Sequence, residues 1–124
     1  MKRILVVEDD LDLSKMLTRI LEHEGYSVTT CTDGEAALRH LESHPVDLLI
    51  TDLMMPGMEG EELLLELKRR RDAPPVPVIL ISASAVRAQV AERLNVEASL
   101  SKPFDTEELV QLVASFVEPA SEQR

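Results

Sequence analysis

Aromatic residues and cysteine are scarce in this chain. Its 124 residues include no Trp, one Tyr and two Phe. The core must therefore be assembled from Leu, Ile, Val, Ala and Met. The single cysteine, Cys31, excludes an internal disulfide. Its setting in "YSVTTCTDG" suits a small buried side chain, with no catalytic role for the thiol. No apolar run approaches the ~20 residues needed to cross a bilayer, so no membrane segment is expected. In the opening "MKRILVVEDD" the apolar run is too short for a signal peptide and acids follow it at once. A cytoplasmic protein is the natural expectation. Cations are also outnumbered: 13 Lys and Arg stand against 23 Asp and Glu, for a net charge of −10. Such a surface repels nucleic-acid phosphates, which argues against direct DNA or RNA binding. It suits a cation or a basic protein partner. The basic run "KRRR" at 68–71 reads as the solvated end of a helix, where cations complement the dipole.

What is present is a repeating pattern. Three compact apolar runs, "ILVV" at 4–7, "LLI" at 48–50 and "VILI" at 78–81, are too short for helices. Their continuous apolar character predicts strands buried on both faces, as in a parallel sheet. "YSVTT" at 26–30 alternates and is β-branched, which predicts an outer strand, and "ASLS" at 98–101 is a weaker, peripheral one. Helical stripes fill the gaps: Leu13, Leu17, Ile20 and Leu21, stopped by Gly25; Ala37, Leu38 and Leu41, closed by His44-Pro45; and Leu63, Leu64 and Leu67 after Gly60. Val86, Val90 and Leu94 mark a short fourth helix, and Leu109, Leu112, Val113 and Phe116 a fifth. The fifth opens with Asp105 and Glu108 at capping-box spacing. The order is β-α repeated five times. Right-handed crossovers then give an α/β fold, a doubly wound five-stranded parallel sheet with helices on both faces. One domain over residues 1–118 is expected, with 119–124 as a polar tail.

In such sheets, sites form outside the carboxyl ends of the strands. The first strand is followed by Glu8, Asp9 and Asp10, the third ends in Thr51 and Asp52, the fourth in Ser82 and the fifth in Lys102. Each has a plain alternative. Asp10 suits a helix N-cap, Glu8 and Asp9 suit a solvated loop, and Asp52 suits a turn before Pro56-Gly57. The joint occurrence on one sheet edge is what points to chemistry. Two carboxylates ~4 Å apart repel by about 4 kcal/mol at an effective dielectric near 20. A divalent cation offsets that repulsion, and all-oxygen ligands favour Mg2+ or Mn2+ over zinc. His40 and His44 stand four apart but lack a third ligand, and read as helix-end residues. A carboxylate, a hydroxyl, a lysine and a divalent cation together suit phosphoryl transfer onto the carboxylate.

With these residues in view, the sequence resembles the receiver domain of two-component response regulators. The matching pieces are "ILVVEDD", "DLLITDLMMPGMEG", "PVILISAS" and "LSKPF", in the family's order across nearly the whole chain. The resemblance implies a flavodoxin-like sheet of order 2-1-3-4-5. It implies Asp52 as phosphoacceptor, and Mg2+ held by Glu8, Asp9, Asp52 and the backbone carbonyl of Met54. Ser82 would be the switch hydroxyl, Lys102 the phosphate-binding lysine, and the Lys102–Pro103 bond cis. The implied phosphodonor is a phosphohistidine of a sensor kinase or phosphotransfer protein, and the output a phosphorylation-dependent contact with a downstream protein. Such a chain modifies itself without being a conventional enzyme, and is expected as a monomer or weak dimer.

Two departures from the family pattern stand out. Ser99 occupies the position, three before the lysine, where the family usually carries Tyr or Phe as the second half of its switch. Asn95 stands where Gly is common, in a slightly short segment between Ser82 and Lys102. These departures keep open a receiver-like module that signals without phosphorylation, and the chain could equally be one part of a larger regulator or hybrid kinase. A phosphatase using an aspartyl phosphate fits poorly, because Met54 occupies the position of the second acid in its D-x-D pattern.

Overall fold

The computed structural model describes residues 1–52, 60–69, 76–82 and 96–118. Five strands, β1 (Arg3–Val7), β2 (Ser27–Cys31), β3 (Leu48–Asp52), β4 (Val78–Ser82) and β5 (Ala98–Ser101), form one sheet of order β2-β1-β3-β4-β5. Every neighbouring pair is parallel. Four helices are described: α1 (Leu11–His23), α2 (Gly34–Ser43), α3 (Gly60–Arg69) and α4 (Thr106–Ala114), the last corresponding to the expected fifth helix. The expected fourth helix at Val86, Val90 and Leu94 lies outside the described residues, as do Met54, Pro56-Gly57, Asn95 and the tail 119–124.

The sheet divides the core in two. On one face Ile4, Val6, Leu48, Ile50, Ile79, Ile81 and Leu100 pack with Leu17 and Leu21 of α1 and Leu109 and Val113 of α4. On the other, Leu5, Val7, Leu49 and Leu80 pack with Ala37 and Leu38 of α2 and Leu63 and Leu64 of α3. This alternation along each strand is the period-two geometry of a sheet covered twice. All five residues of β3 and of β4 are buried, whereas edge strand β2 is exposed or half-buried throughout. Cys31, at its end, is half-buried rather than buried. Burial and the Asp33 carboxylate push its thiol pKa up, away from nucleophilic character.

Strand β2 begins one residue later than the alternation of "YSVTT" suggests, because Tyr26 still belongs to the end of α1. Gly25 adopts φ 97°. Its N–H donates to the Glu22 carbonyl at 3.0 Å, and the Tyr26 N–H donates to the Leu21 carbonyl at 3.1 Å. This is a Schellman closure, and it turns the Tyr26 ring into the core beside Leu21. The phenol then donates to the Val117 carbonyl at 2.7 Å, tying the segment after α4 to the start of β2. The caps at Asp10 and Asp105 follow the sequence, and the structure adds one at Asp33. Asp10 Oδ1 accepts the Asp12 and Leu13 N–H groups at 3.0 and 3.2 Å. Asp33 accepts Ala36 N–H at 2.8 Å, and Glu108 reaches back to the Asp105 N–H at 3.4 Å.

Candidate functional site

The strand order reverses between β1 and β3, so connections leave these two neighbours to opposite sides and open a crevice at their carboxyl ends. In register, Val7 faces Thr51 and Asp52 faces Ile81, which brings the ends of β1, β3 and β4 level. Glu8 and Asp9 follow β1 directly, and Asp52 closes β3. One carboxylate oxygen from each of Glu8, Asp9 and Asp52 lies within 4.8 Å of the others. Glu8 is 1% exposed and Asp52 7%, while Asp9 opens to solvent.

Lys102 answers part of this charge. Its Nζ donates to Asp52 Oδ2 at 2.7 Å and stands 3.4 Å from Glu8 Oε1. Its own backbone N–H donates to the Ser82 carbonyl at 3.1 Å, which pins the turn after β5 against the end of β4. The Lys102–Pro103 bond is cis, as expected. Burial disfavours the ammonium, but its hydrogen bond to Asp52 and the charges of Asp52 and Glu8 outweigh it and raise the lysine's pKa. Glu8 shows the opposite imbalance. Burial, opposed by the Asp10 N–H bonded to its Oε2 at 3.1 Å and reinforced by the Asp52 charge, pushes its carboxyl up to about 7.

The donor set is made of carboxylate oxygens alone, with one exposed member giving access. It fits a hard divalent cation such as Mg2+, which keeps several waters and takes few protein ligands. Three carboxylates against one ammonium leave excess negative charge for such an ion to balance. Among the described residues no other group of three His, Cys, Asp or Glu side chains is placed to hold a metal.

Ser82 is buried at the end of β4, opposite Ser101 of β5. Ser99 is half-buried in β5, opposite Leu80, on the sheet face that Leu80 shares with Leu49. The structure thus gathers Glu8, Asp9, Asp52 and Lys102 into one cluster, with Ser82 at the adjoining strand end. It assigns Asp10 to the helix cap. Sequence reasoning missed the second contact of Lys102, to Glu8. The available signal was the position of Glu8 directly after the strand that neighbours β3.

The chain matches the response regulator receiver domain family over residues 4–114. It belongs to that family. This receiver is 36% identical over 124 residues to the transcriptional regulatory protein GlrR of Escherichia coli, covering 98% of this chain and 28% of that protein. It is 35% identical over 112 residues to the sensory transduction protein RegX3 of Mycobacterium tuberculosis, covering 89% of this chain and 48% of that one. The receiver therefore spans from about a quarter to about half the length of these curated relatives. Among solved structures, the response regulator TrrA of Thermotoga maritima in complex with Mg2+–BeF superposes with a TM-score of 0.83 at 34% identity, covering 94% of this chain and 100% of that one. The Vibrio cholerae chemotaxis protein CheY4 gives a TM-score of 0.86 at 26% identity, covering 94% and 99%. The parallel sheet of order 2-1-3-4-5 is the fold these proteins share. No helix among the described residues is long and apolar enough to cross a membrane.

Proposed function

We propose that this receiver accepts a phosphoryl group on Asp52 from a phosphohistidine of a sensor kinase or histidine phosphotransfer protein. The observation that carries the reading is the contact of Lys102 Nζ with Asp52 Oδ2 at 2.7 Å beside the carboxylates of Glu8 and Asp9. An Asp52 oxygen attacks phosphorus, the P–N bond breaks, and the departing imidazole keeps the bonding electron pair. Lys102 holds a positive charge where the phosphoryl oxygens arrive, as a compact point charge on a flexible stem. Ser82 supplies a hydroxyl to one of those oxygens. Mg2+ would be held by Asp9, Asp52, Glu8 and the carbonyl of Met54, and supplies positive charge for the developing negative charge on phosphorus-bound oxygens.

The signal then leaves by binding a downstream protein, in the cytoplasm, through a receiver body of residues 1–118. Ser82 and Ser99 form the switch position, and Ser99 lacks the ring volume through which a Tyr or Phe would couple phosphate to the surface. The neighbours of β5 carry that coupling instead. Ser99→Tyr then alters partner binding more than phosphorylation rate.

Intact mass after incubation with acetyl phosphate and Mg2+ tests the acceptor. The wild type gains one phosphoryl group and Asp52→Asn gains none. No gain in the wild type, together with no Mg2+-dependent beryllofluoride binding, would overturn the reading in favour of a phosphorylation-independent interaction module.

A further inference from the structure

Between α1 and the edge strand β2 lies a pocket of about 370 Å3 whose residues the phosphoryl site does not use. It is lined by Ser14, Lys15, Thr18, Arg19 and Glu22 of α1 and by Thr30 of β2. Thr30 pairs with Val6, and strand alternation puts it on the sheet face of Val28, which packs in the core beside α1. Ser14 is 6% exposed and lies on the buried side of α1 with Leu17 and Leu21. A helical serine can satisfy its hydroxyl on the carbonyl one turn back. Thr18 does so: its Oγ1 donates to the Ser14 carbonyl at 2.9 Å. Ser14 does not. The Asp10 carbonyl takes its N–H at 2.9 Å, and its hydroxyl has no hydrogen-bond partner among the described residues. Buried polar groups are seldom left in that condition.

The charges around this hydroxyl are also uncommitted. Lys15 and Arg19 stand four apart on α1, so they are neighbours on its surface, and like charges at that spacing repel. Neither has an ion-pair partner among the described residues. Glu22 is the one carboxylate on the lining and pairs with neither of them. In a chain of net charge −10, this pocket therefore carries two cations against one acid.

We propose that the pocket between α1 and β2 binds a phosphate group, free or carried by a small polar molecule. The planar guanidinium of Arg19 matches two phosphate oxygens as a fork, and Lys15 adds a point charge. The Ser14 hydroxyl donates from the floor and the Thr30 hydroxyl from the strand side. An anion held there relieves the repulsion between Lys15 and Arg19 and satisfies the buried hydroxyl in one step. A phosphate group fills only part of the volume. No aromatic ring lines the pocket to stack a base, so the remainder suits a short polyol rather than a nucleobase. Glu22, one turn beyond Arg19, is placed to accept from the hydroxyls of such a body.

The test is a titration of the full chain at constant ionic strength, followed by backbone amide resonances. The probes are potassium phosphate, glycerol 3-phosphate and potassium acetate. EDTA keeps divalent ions off the acidic cluster, which then repels anions. The expected result is saturable binding of a phosphate probe, with Ser14, Thr18 and Thr30 shifting together and acetate without effect. Tighter binding of glycerol 3-phosphate identifies a phosphorylated small molecule, and tighter binding of potassium phosphate identifies the free ion. Lys15→Gln and Arg19→Gln each weaken binding roughly tenfold, as the loss of a charge-assisted hydrogen bond requires. Ser14→Ala weakens it severalfold, and Lys102→Ala leaves it unchanged. Absence of saturable shifts with both phosphate probes would overturn the site, as would equal shifts with acetate. Undiminished binding in both Gln variants, each confirmed as folded by circular dichroism, would also overturn it and leave the pocket a hydrated groove.

Discussion

At the residue scale the acidic cluster is a balance of charges that the metal-free chain leaves incomplete. Glu8 is buried beside Asp52 with only part of one ammonium to answer it, and its carboxyl is pushed up to about 7 from an ordinary 4.5. The sign of the consequence follows from proton binding. Between about 4.5 and about 7 the folded chain holds a proton at Glu8 that the unfolded chain has released, so metal-free stability falls as pH rises through that window. Urea denaturation in EDTA at about pH 5 and about pH 8 checks this: the wild type loses more stability on going up in pH than Glu8→Gln does. Mg2+ affinity runs the other way and tightens across the same window, because the ion requires the carboxylate. Lys102 gives a second prediction at this scale. Lys102→Ala removes the charge beside Asp52 and slows phosphorylation by acetyl phosphate by roughly 10²-fold, while Mg2+ binding persists. Quenched time points analysed by intact mass measure the rate, and an unchanged rate would show that the ammonium plays no part in the transfer.

At the scale of elements, most of the chain was legible because period and punctuation agree. The all-apolar runs became the buried strands β1, β3 and β4, and Gly25, Asp10 and Asp105 punctuate the helices as their chemistry requires. Tyr26 is where local reading was one residue out. Its β-propensity placed it in β2, but the positive φ of Gly25 completes the α1 closure through Tyr26 and commits its ring to the core. The buried phenol bond to Val117 spans 91 residues of sequence, and no local pattern announces it. Tyr26→Phe keeps the ring and loses that bond, which costs about 1 kcal/mol, readable as a lower urea midpoint at constant slope. Hydrogen exchange near the end of α4 rises in the same variant, since the contact that anchors that segment is gone.

Across the whole molecule, sheet order, charge and metal linkage act together. The chain carries −10 overall, and three of its acids meet at one crevice. Mg2+ bound to the folded form alone stabilises by mass action, about 1.4 kcal/mol at ten times its dissociation constant. Thermal unfolding with and without MgCl2 measures this. The shift is large in the wild type and small in Asp9→Asn and in Asp52→Asn, each of which removes one carboxylate from the cluster. The fold class and strand order were expected from the run of β-α units and from the receiver resemblance, and the structure has them. The residues gathered in the acidic cluster were also legible as strand ends, because residues that close parallel strands are carried to one edge by the topology itself. By itself, then, the sequence determined the β-α alternation, the doubly covered sheet and which side chains reach its carboxyl edge, since periodicity and strand length are local properties. Only the tertiary structure decided that Lys102 serves Glu8 as well as Asp52, that Glu8 is buried enough to hold a proton near neutrality, and that Tyr26 belongs to the core. Each depends on distance and desolvation between segments far apart in the chain, and these exist only once the strands are in register.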